Sequence, residues 1–522
     1  MNSSAARGVA LLLIALAFAV QVSSMRRMSE TYDEGVHLRF GESLLGKGEV
    51  SAFNQSMPVS ALNALARAVA RHLGLRLSPR AELFVARLPT VCLSLMLAAL
   101  VFRWSSGLYG PLGGVLSLIL YVFDPNLIAH SRVVSTDLPC ALFMLLSVYL
   151  FVRYLKSRSI LHLVVAALAT GLAQLTKQTA LLLLPLFGVL AVYARIFGPK
   201  TPSRASSKSA AHALLFAAVV LLVLNAGYGF RSSWTTGKSL PIVVLPSPGS
   251  GYQTVVRTAP NLPIPLPNAY VEGMIIGSYY NATGMGHGYN YLLGRRSQLG
   301  WWYYFPVALG LKTPLGLFVL LALAACLLKR SLARNPLDEV AMMLGAAAVF
   351  LSFTFFCTAQ LGIRYLLPMF PFLHVFAGKL GSVFAPGRRG GFQLVTAGAV
   401  GWYVVSSLSY YPQYLSYFNE VIGDRRNMYK YLADSNVDWG QNEYVLARYL
   451  ASRPREEIAV NPDRPVAGTV IVNVNQLVGL EDPLKYAWLR DAYEPADQVG
   501  YSWLVYHVPR PPKGPAAAPP PP

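Results

Sequence analysis

The sequence predicts a polytopic α-helical membrane protein of about 11 transmembrane helices, carrying a small α/β domain towards its C-terminal end. Three observations carry this expectation. Mean hydropathy is +0.43 over 522 residues, with 54% of them hydrophobic and only 13% charged. Apolar runs of membrane-spanning length recur along most of the chain; a bilayer core requires about 20 such residues per helix, and no single soluble core absorbs that much apolar sequence. Finally, Lys and Arg concentrate in short connections that fall on one side of the predicted bundle, as the positive-inside rule requires.

Taken in order, the spans fall at 8–24, 83–104, 109–124, 136–154, 160–175, 179–197, 211–230, 303–328, 338–357, 364–383 and 393–411. With the N-terminus cytoplasmic, the short inside connections carry Lys156 and Arg158, then Arg195, Lys200, Arg204 and Lys208, then Lys329, Arg330 and Arg334, then Arg388 and Arg389. A net charge of +20 would suggest a nucleic-acid partner in a soluble protein. Here topology accounts for many of those charges, and no nucleic-acid partner is expected. The first segment also fits a cleaved signal peptide, which would leave Asp33 on a free tail. The odd helix count puts loops 25–82 and 231–300, and everything after residue 411, on one outer side. Residues 1–411 thus form the membrane bundle, 412–509 a small outer α/β domain and 510–522 a proline-rich tail without a core to join. Cys92, Cys140, Cys326 and Cys357 show no pairing or metal-ligand spacing and read as small core residues.

Candidate chemistry gathers at that outer side. SETYDEG, Ser29–Gly35, places Asp33 and Glu34 just beyond the first apolar segment, where charge near hydrocarbon is costly and suggests function. A solvated loop start would also put acids there. Ser60 to Leu77 sets Leu62, Leu65, Val69 and Leu73 on one helical face, which suits a helix lying in the membrane interface or one packed on its neighbours. FDPNLIAHSRVVSTDLP brings Asp124, His130, Arg132 and Asp137 to the rim, interrupted by Pro125 and Pro139. Lys177 stands inside the apolar run LTKQTALLLLP, as a snorkelling boundary residue or an anion ligand. His287 lies in a Gly-rich stretch that lacks the strand and the GK[ST] of a nucleotide-binding loop. Lys312 follows an aromatic belt and Arg364 begins a further apolar segment. Past the last span, Glu443–Ala451 reads as a helix, and 469–475 and 501–508 alternate like strands.

Read in order, these motifs resemble a known family. An acidic pair after the first helix, ARLP, DPNLIAHSRVVSTD, LTKQTALLLLP, GWWYYFPVALGLKTPLG, GIRYLLPMFPFL and DSNVDWGQ look like the lipid-carrier-dependent glycosyltransferases of the GT-C superfamily. That group includes protein O-mannosyltransferases and aminoarabinose transferases of lipid A. The resemblance covers roughly residues 1–450, and its specificity lies in the seven motifs in sequence rather than in any one of them. It implies a sugar donor on a polyprenyl phosphate, an acceptor hydroxyl on a protein, lipid or surface glycan, and a catalytic base at Asp33 with Glu34 as its neighbour. Arg132, Lys177, Arg364 and Lys312 become candidate phosphate ligands, Asp137 and His287 candidate substrate ligands. No cofactor is fixed: a divalent cation on Glu34, Asp137 or His287 stays open, though no ligand spacing supports one. The expected location is a bacterial plasma (inner) membrane, with the site on the extracytoplasmic side. The competing class is a transporter or flippase of an anionic lipid-linked substrate, against which stands the lack of an internal repeat.

Overall fold

The computed structural model describes residues 2–46, 57–197, 205–231, 234–236, 261–284, 288–384 and 390–509. His287, Lys200, Arg204, Arg388, Arg389 and the tail 510–522 lie outside the described residues. The chain is a multi-pass helical membrane protein whose helices run α1 (Ser3–Met25), α2 (Glu34–Leu45), α3 (Ser60–His72), α4 (Pro79–Tyr109), α5 (Pro111–Val122), α6 (Pro125–Ser131), α7 (Asp137–Ser157), α8 (Ile160–Gln174), α9 (Leu183–Phe197) and α10 (Ala205–Gly227). They continue as α11 (Asn268–Thr283), α12 (Tyr304–Lys312), α13 (Leu315–Cys326), α14 (Leu328–Arg334), α15 (Pro336–Phe356), α16 (Met369–Ala377), α17 (Gly391–Leu408) and α18 (Glu443–Ala451). Proline at the start of α4, α5, α6 and α15 sets the first helical φ where its missing N–H costs nothing.

Every segment read as a span is helical, but fewer than eleven are full-length spans. Among the described residues seven helices are long and apolar enough to cross a bilayer, or up to nine if each of two bent pairs counts as one span. The remaining two apolar segments are short; the 15 residues of α8 extend only about 22 Å at 1.5 Å per residue. The span expected at 303–328 is not one helix. α12 and α13 meet at 102°, because Pro314 cannot donate to the preceding turn. α5 and α6 likewise meet at 64°, where the Asp124 carboxylate caps α6 by accepting from the Asn126 and Leu127 N–H groups at 2.9 and 3.0 Å.

Ion pairs stitch both ends of the bundle. At one end Lys379 meets Glu339 at 2.8 Å, Lys156 meets Asp338, and the Trp104 indole donates to Asp338 at 3.0 Å. The other end holds the acidic loop between α1 and α2, the start of α7 and the end of α8.

Three further readings need correction. The stretch 231–300 is not all loop: Pro267 leads into α11, Gly284 ends it with a left-handed φ of 67°, and Asn290–Leu292 (β1) pairs antiparallel with Arg295–Ser297 (β2). Of the four cysteines only Cys140 is buried; Cys92 and Cys326 are exposed on α4 and α13. The helix expected over Ser60–Leu77 stops at His72; Leu62, Leu65, Val69 and Leu73 are exposed while Ser60, Asn63 and Ala64 pack inward. Beyond α18, strands β3 (Ile458–Val460), β4 (Gly468–Asn473), β5 (Asp497–Val499) and β6 (Trp503–Val508) form a mixed sheet in the order β3-β4-β6-β5, parallel only at β3–β4. Its longest strands are the two expected from alternation.

Candidate active site

Asp33 and Glu34 are adjacent in sequence and set in different surroundings by the start of α2. Glu34 is fully buried, and its carboxylate is surrounded by donors. Arg87 of α4 contributes Nε to Oε1 at 2.7 Å and Nη2 to Oε2 at 2.6 Å, the Thr31 N–H reaches Oε2 at 2.8 Å, and the Val134 N–H reaches Oε1 at 2.8 Å. Arg87 Nη2 also donates to the Ser29 carbonyl at 2.7 Å. A carboxylate occupied on both oxygens has nothing left for a substrate, so the assignment of Glu34 to catalysis is corrected. It ties the acidic loop to α4 and to the turn before α7.

Asp33 faces the other way. Its side chain is 40% exposed, and Oδ2 accepts from Arg364 Nη1 at 2.8 Å. Arg364 lies over Trp439, 4.3 Å from the ring centre, and 5.6 Å from the Tyr365 ring centre. Lys177 sits 4.3 Å from the centre of the same Tyr365 ring and forms an ion pair with Asp137 at the N-terminus of α7. Residues from four distant segments, Asp33, Asp137, Lys177 and Arg364, therefore converge on one mouth. With 22% of its side chain exposed, Lys177 is reachable from outside the protein.

The other described candidates do not join them. Lys312 is fully buried, and its ammonium donates to the carbonyls of Leu415 at 2.8 Å and Asn436, beneath the Phe418 ring. It braces the α12–α13 bend and cannot reach a phosphate, which corrects its assignment as a ligand. Arg132 is fully buried, donates to the Pro412 carbonyl at 2.7 Å and lies over Tyr414; among the described residues no ion pair links it to the mouth. His130 packs against Trp439 at 5.7 Å between ring centres. His287 lies outside the described residues. Among the described residues no three His, Cys, Asp or Glu side chains are grouped to hold a metal ion, and the open question of a cation on Glu34 or Asp137 meets carboxylates already engaged by Arg87 and Lys177.

Residues 70–230 match a family model described as dolichyl-phosphate-mannose-protein mannosyltransferase. The matched stretch carries Arg87, Arg132, Asp137 and Lys177, and Asp33 and Arg364 lie outside it. Among solved structures, ArnT from Cupriavidus metallidurans in the apo state is similar at 15% identity and a TM-score of 0.48, with 96% of this chain and 98% of that chain covered. The same protein bound to undecaprenyl phosphate aligns at 15% identity with a TM-score of 0.47 and the same coverage. The Archaeoglobus fulgidus oligosaccharyltransferase tethered with an acceptor peptide gives 12% identity and a TM-score of 0.45 over 76% of this chain and 54% of that one. No curated protein sequence matches the chain.

Sequence reasoning missed what aligns this mouth. The stretch DSNVDWGQ clasps the acidic loop through backbone: Ser29 N–H donates to the Gln441 carbonyl and Tyr32 N–H to the Trp439 carbonyl, each at 3.0 Å, while Ser29 Oγ donates to the Gly440 carbonyl at 2.7 Å. Gly440 has a φ of +90°, and a Cβ there would stand 3.2 Å from the Glu30 carbonyl oxygen. The same stretch grips the turn that carries Arg364, since Asn436 Oδ1 accepts from the Ile363 N–H at 3.0 Å and Ser435 Oγ donates to the Leu361 carbonyl. One segment thus sets the spacing of both members of the Asp33–Arg364 pair. The motif was visible as a string, but its role depends on contacts about 400 residues apart in sequence that no local pattern encodes.

Proposed function

We propose that this protein transfers a sugar from a polyprenyl-phosphate carrier to an acceptor hydroxyl, with inversion at the anomeric carbon, at the extracytoplasmic face of a bacterial plasma membrane. The observation that carries the reading is the accessible Asp33 carboxylate paired at 2.8 Å with Arg364 and grouped with Lys177. A base and two cations at one mouth are what displacement of a phosphate from a sugar needs. The acceptor oxygen forms its bond to the anomeric carbon as the bond from that carbon to the carrier phosphate breaks. Asp33 takes the hydroxyl proton, and the departing phosphate keeps the electron pair as an anion facing Arg364 and Lys177. Their pull must grow as the bond breaks, since an equal pull on bound donor would only tighten binding.

The carrier's tail also has a place to lie. An apolar groove of about 240 Å³ runs along α12, α13 and α15, bordered by Leu309, Leu317, Phe350 and Leu373. One turn further along α15, Phe353 stacks on Tyr365 at 5.3 Å between ring centres, and that ring carries Lys177 and Arg364. An isoprenoid in the groove would deliver its phosphate to both cations. The flippase alternative gives no use to a carboxylate poised beside them.

Product from a labelled polyprenyl-phosphate sugar, made by the purified chain, tests the reading; carrier movement without product refutes it. Arg364→Ala and Lys177→Ala should each raise the donor KM by about tenfold or more, because charge-assisted hydrogen bonds contribute roughly 1.5–3 kcal/mol, with a smaller change for the acceptor. Unchanged donor kinetics in both variants would remove the phosphate clamp. Lys312→Met should leave the donor KM unaltered and lower thermal stability by about 1–3 kcal/mol through the orphaned Leu415 and Asn436 carbonyls. A rise in donor KM at unchanged stability would return Lys312 to the site.

A further inference from the structure

We propose that Asp434 is a second substrate-touching carboxylate of this site, accepting hydrogen bonds from hydroxyls of the transferred sugar and holding its ring in front of Asp33. The inference rests on the transfer reaction above and assigns a role that the reaction alone does not. Asp434 opens the short turn Asp434–Asn436, which packs on the turn Ile363–Leu366 that bears Arg364. Approach this close needs Gly362: its φ is +136°, and a Cβ there would lie 2.5 Å from Ser435 Oγ. Asp434 therefore stands beside Arg364, within the electrostatic reach of both Arg364 and Asp33.

Its backbone is costly. With φ at +56°, Asp434 occupies the left-handed region, which costs most residues with a Cβ about 1–2 kcal/mol and Asp or Asn less. The Asn475 amide oxygen holds it there by accepting from its N–H at 2.8 Å. Glycine would occupy that position without the penalty, so the turn itself does not call for a carboxylate. Nor does packing: Oδ1 accepts from the Ser435 N–H, and among the described residues Asp434 makes no ion pair within 4 Å. Burial raises its pKa to about 6, against the pull of Arg364 and the Ser435 N–H and with the help of Asp33 and Asp438. Tyr32 and Tyr304 are further titratable neighbours. Strain and an expensive charge at one residue are commonly found where a ligand uses them. A carboxylate only accepts hydrogen bonds when ionised, so the matching ligand is a polyol; a phosphate would be repelled.

The experiment compares the full-length wild-type chain with Asp434→Asn and Asp434→Gly, both of which suit a left-handed backbone. Three quantities are measured: binding of sugar-free polyprenyl phosphate, transfer from the sugar-bearing donor, and the pH dependence of transfer between pH 5 and 8. Both variants should lose about 10²-fold in transfer, the scale of a misplaced substrate, with carrier binding within twofold of wild type. The wild-type rate should fall as pH drops through about 6, where Asp434 gains its proton, and that limb should vanish in Asp434→Asn. Wild-type rates and an unaltered pH profile in both variants would overturn the role. An equal loss of carrier binding would also overturn it, since Asp434 would then act on the phosphate end. No product from wild type would overturn the reaction and this role together, whereas product from wild type with unaffected variants overturns the role alone.

Discussion

Asp33→Asn should lower sugar transfer by about 10²–10⁴-fold, the usual worth of a positioned general base, with thermal stability and carrier binding close to wild type. The separation of activity from stability follows from where Asp33 sits. It precedes α2 at the N-cap position, yet its side chain caps no backbone N–H, so the amide variant removes no helix-capping bond. At 40% exposure the carboxylate is also not part of a core. Its ionic partner survives the change, because Arg364 keeps the face of Trp439 at 4.3 Å, and the amide oxygen of Asn can still accept from Arg364. What disappears is the capacity to accept a proton. Asp33→Ala tests the same step without an acceptor of any kind, and should match the loss in rate. Kinetics of purified variants with saturating donor, beside thermal unfolding in the same detergent, check the claim. Full activity in either variant removes Asp33 from the mechanism.

The helices were legible because hydropathy reports them directly, and the helix Glu443–Ala451 and the strands around 468–473 and 503–508 were legible from period. Breaks were less so. Pro314 and Pro125 signal an interruption, but the 102° and 64° angles come from what the following segments pack against. α11 was hidden in a stretch whose prolines and glycines read as loop, although Pro267 and Gly284 are its two boundaries. At the site, Asp33, Asp137, Lys177 and Arg364 stood out as charges in apolar surroundings. That criterion cannot tell a substrate ligand from a buried brace. Lys312 meets it as well as Lys177 does, and differs only because two backbone carbonyls from a remote segment satisfy its ammonium. Glu34 shows the same limit one residue from Asp33, since the direction in which each carboxylate points depends on the helical turn that begins between them.

Glu34→Ala should destabilise the protein by about 3–5 kcal/mol, the cost of removing one partner of a buried ion pair, and transfer should fall with it. Arg87 is 2% exposed and would keep a guanidinium with no carboxylate, while the Thr31 and Val134 N–H groups would lose their acceptors. The informative comparison is with Glu34→Gln and with the double variant Glu34→Gln/Arg87→Met. A tether can be partly rebuilt by neutral groups of similar shape, because replacing both members of a buried pair avoids the uncompensated charge. The double variant should therefore be more stable than the sum of its single changes by about 1–3 kcal/mol, the coupling expected of residues in one network. Its transfer rate should recover in step with its unfolding midpoint, since Asp33 regains its place once the loop is held against α4 and the turn before α7. A residue taking part in proton transfer behaves otherwise: Glu34→Gln would then abolish the reaction in a fully folded protein, and no second change at Arg87 would restore it. Measured coupling near zero, or a stable and inactive Glu34→Gln, would return Glu34 to the chemistry and leave Arg87 as its charge partner.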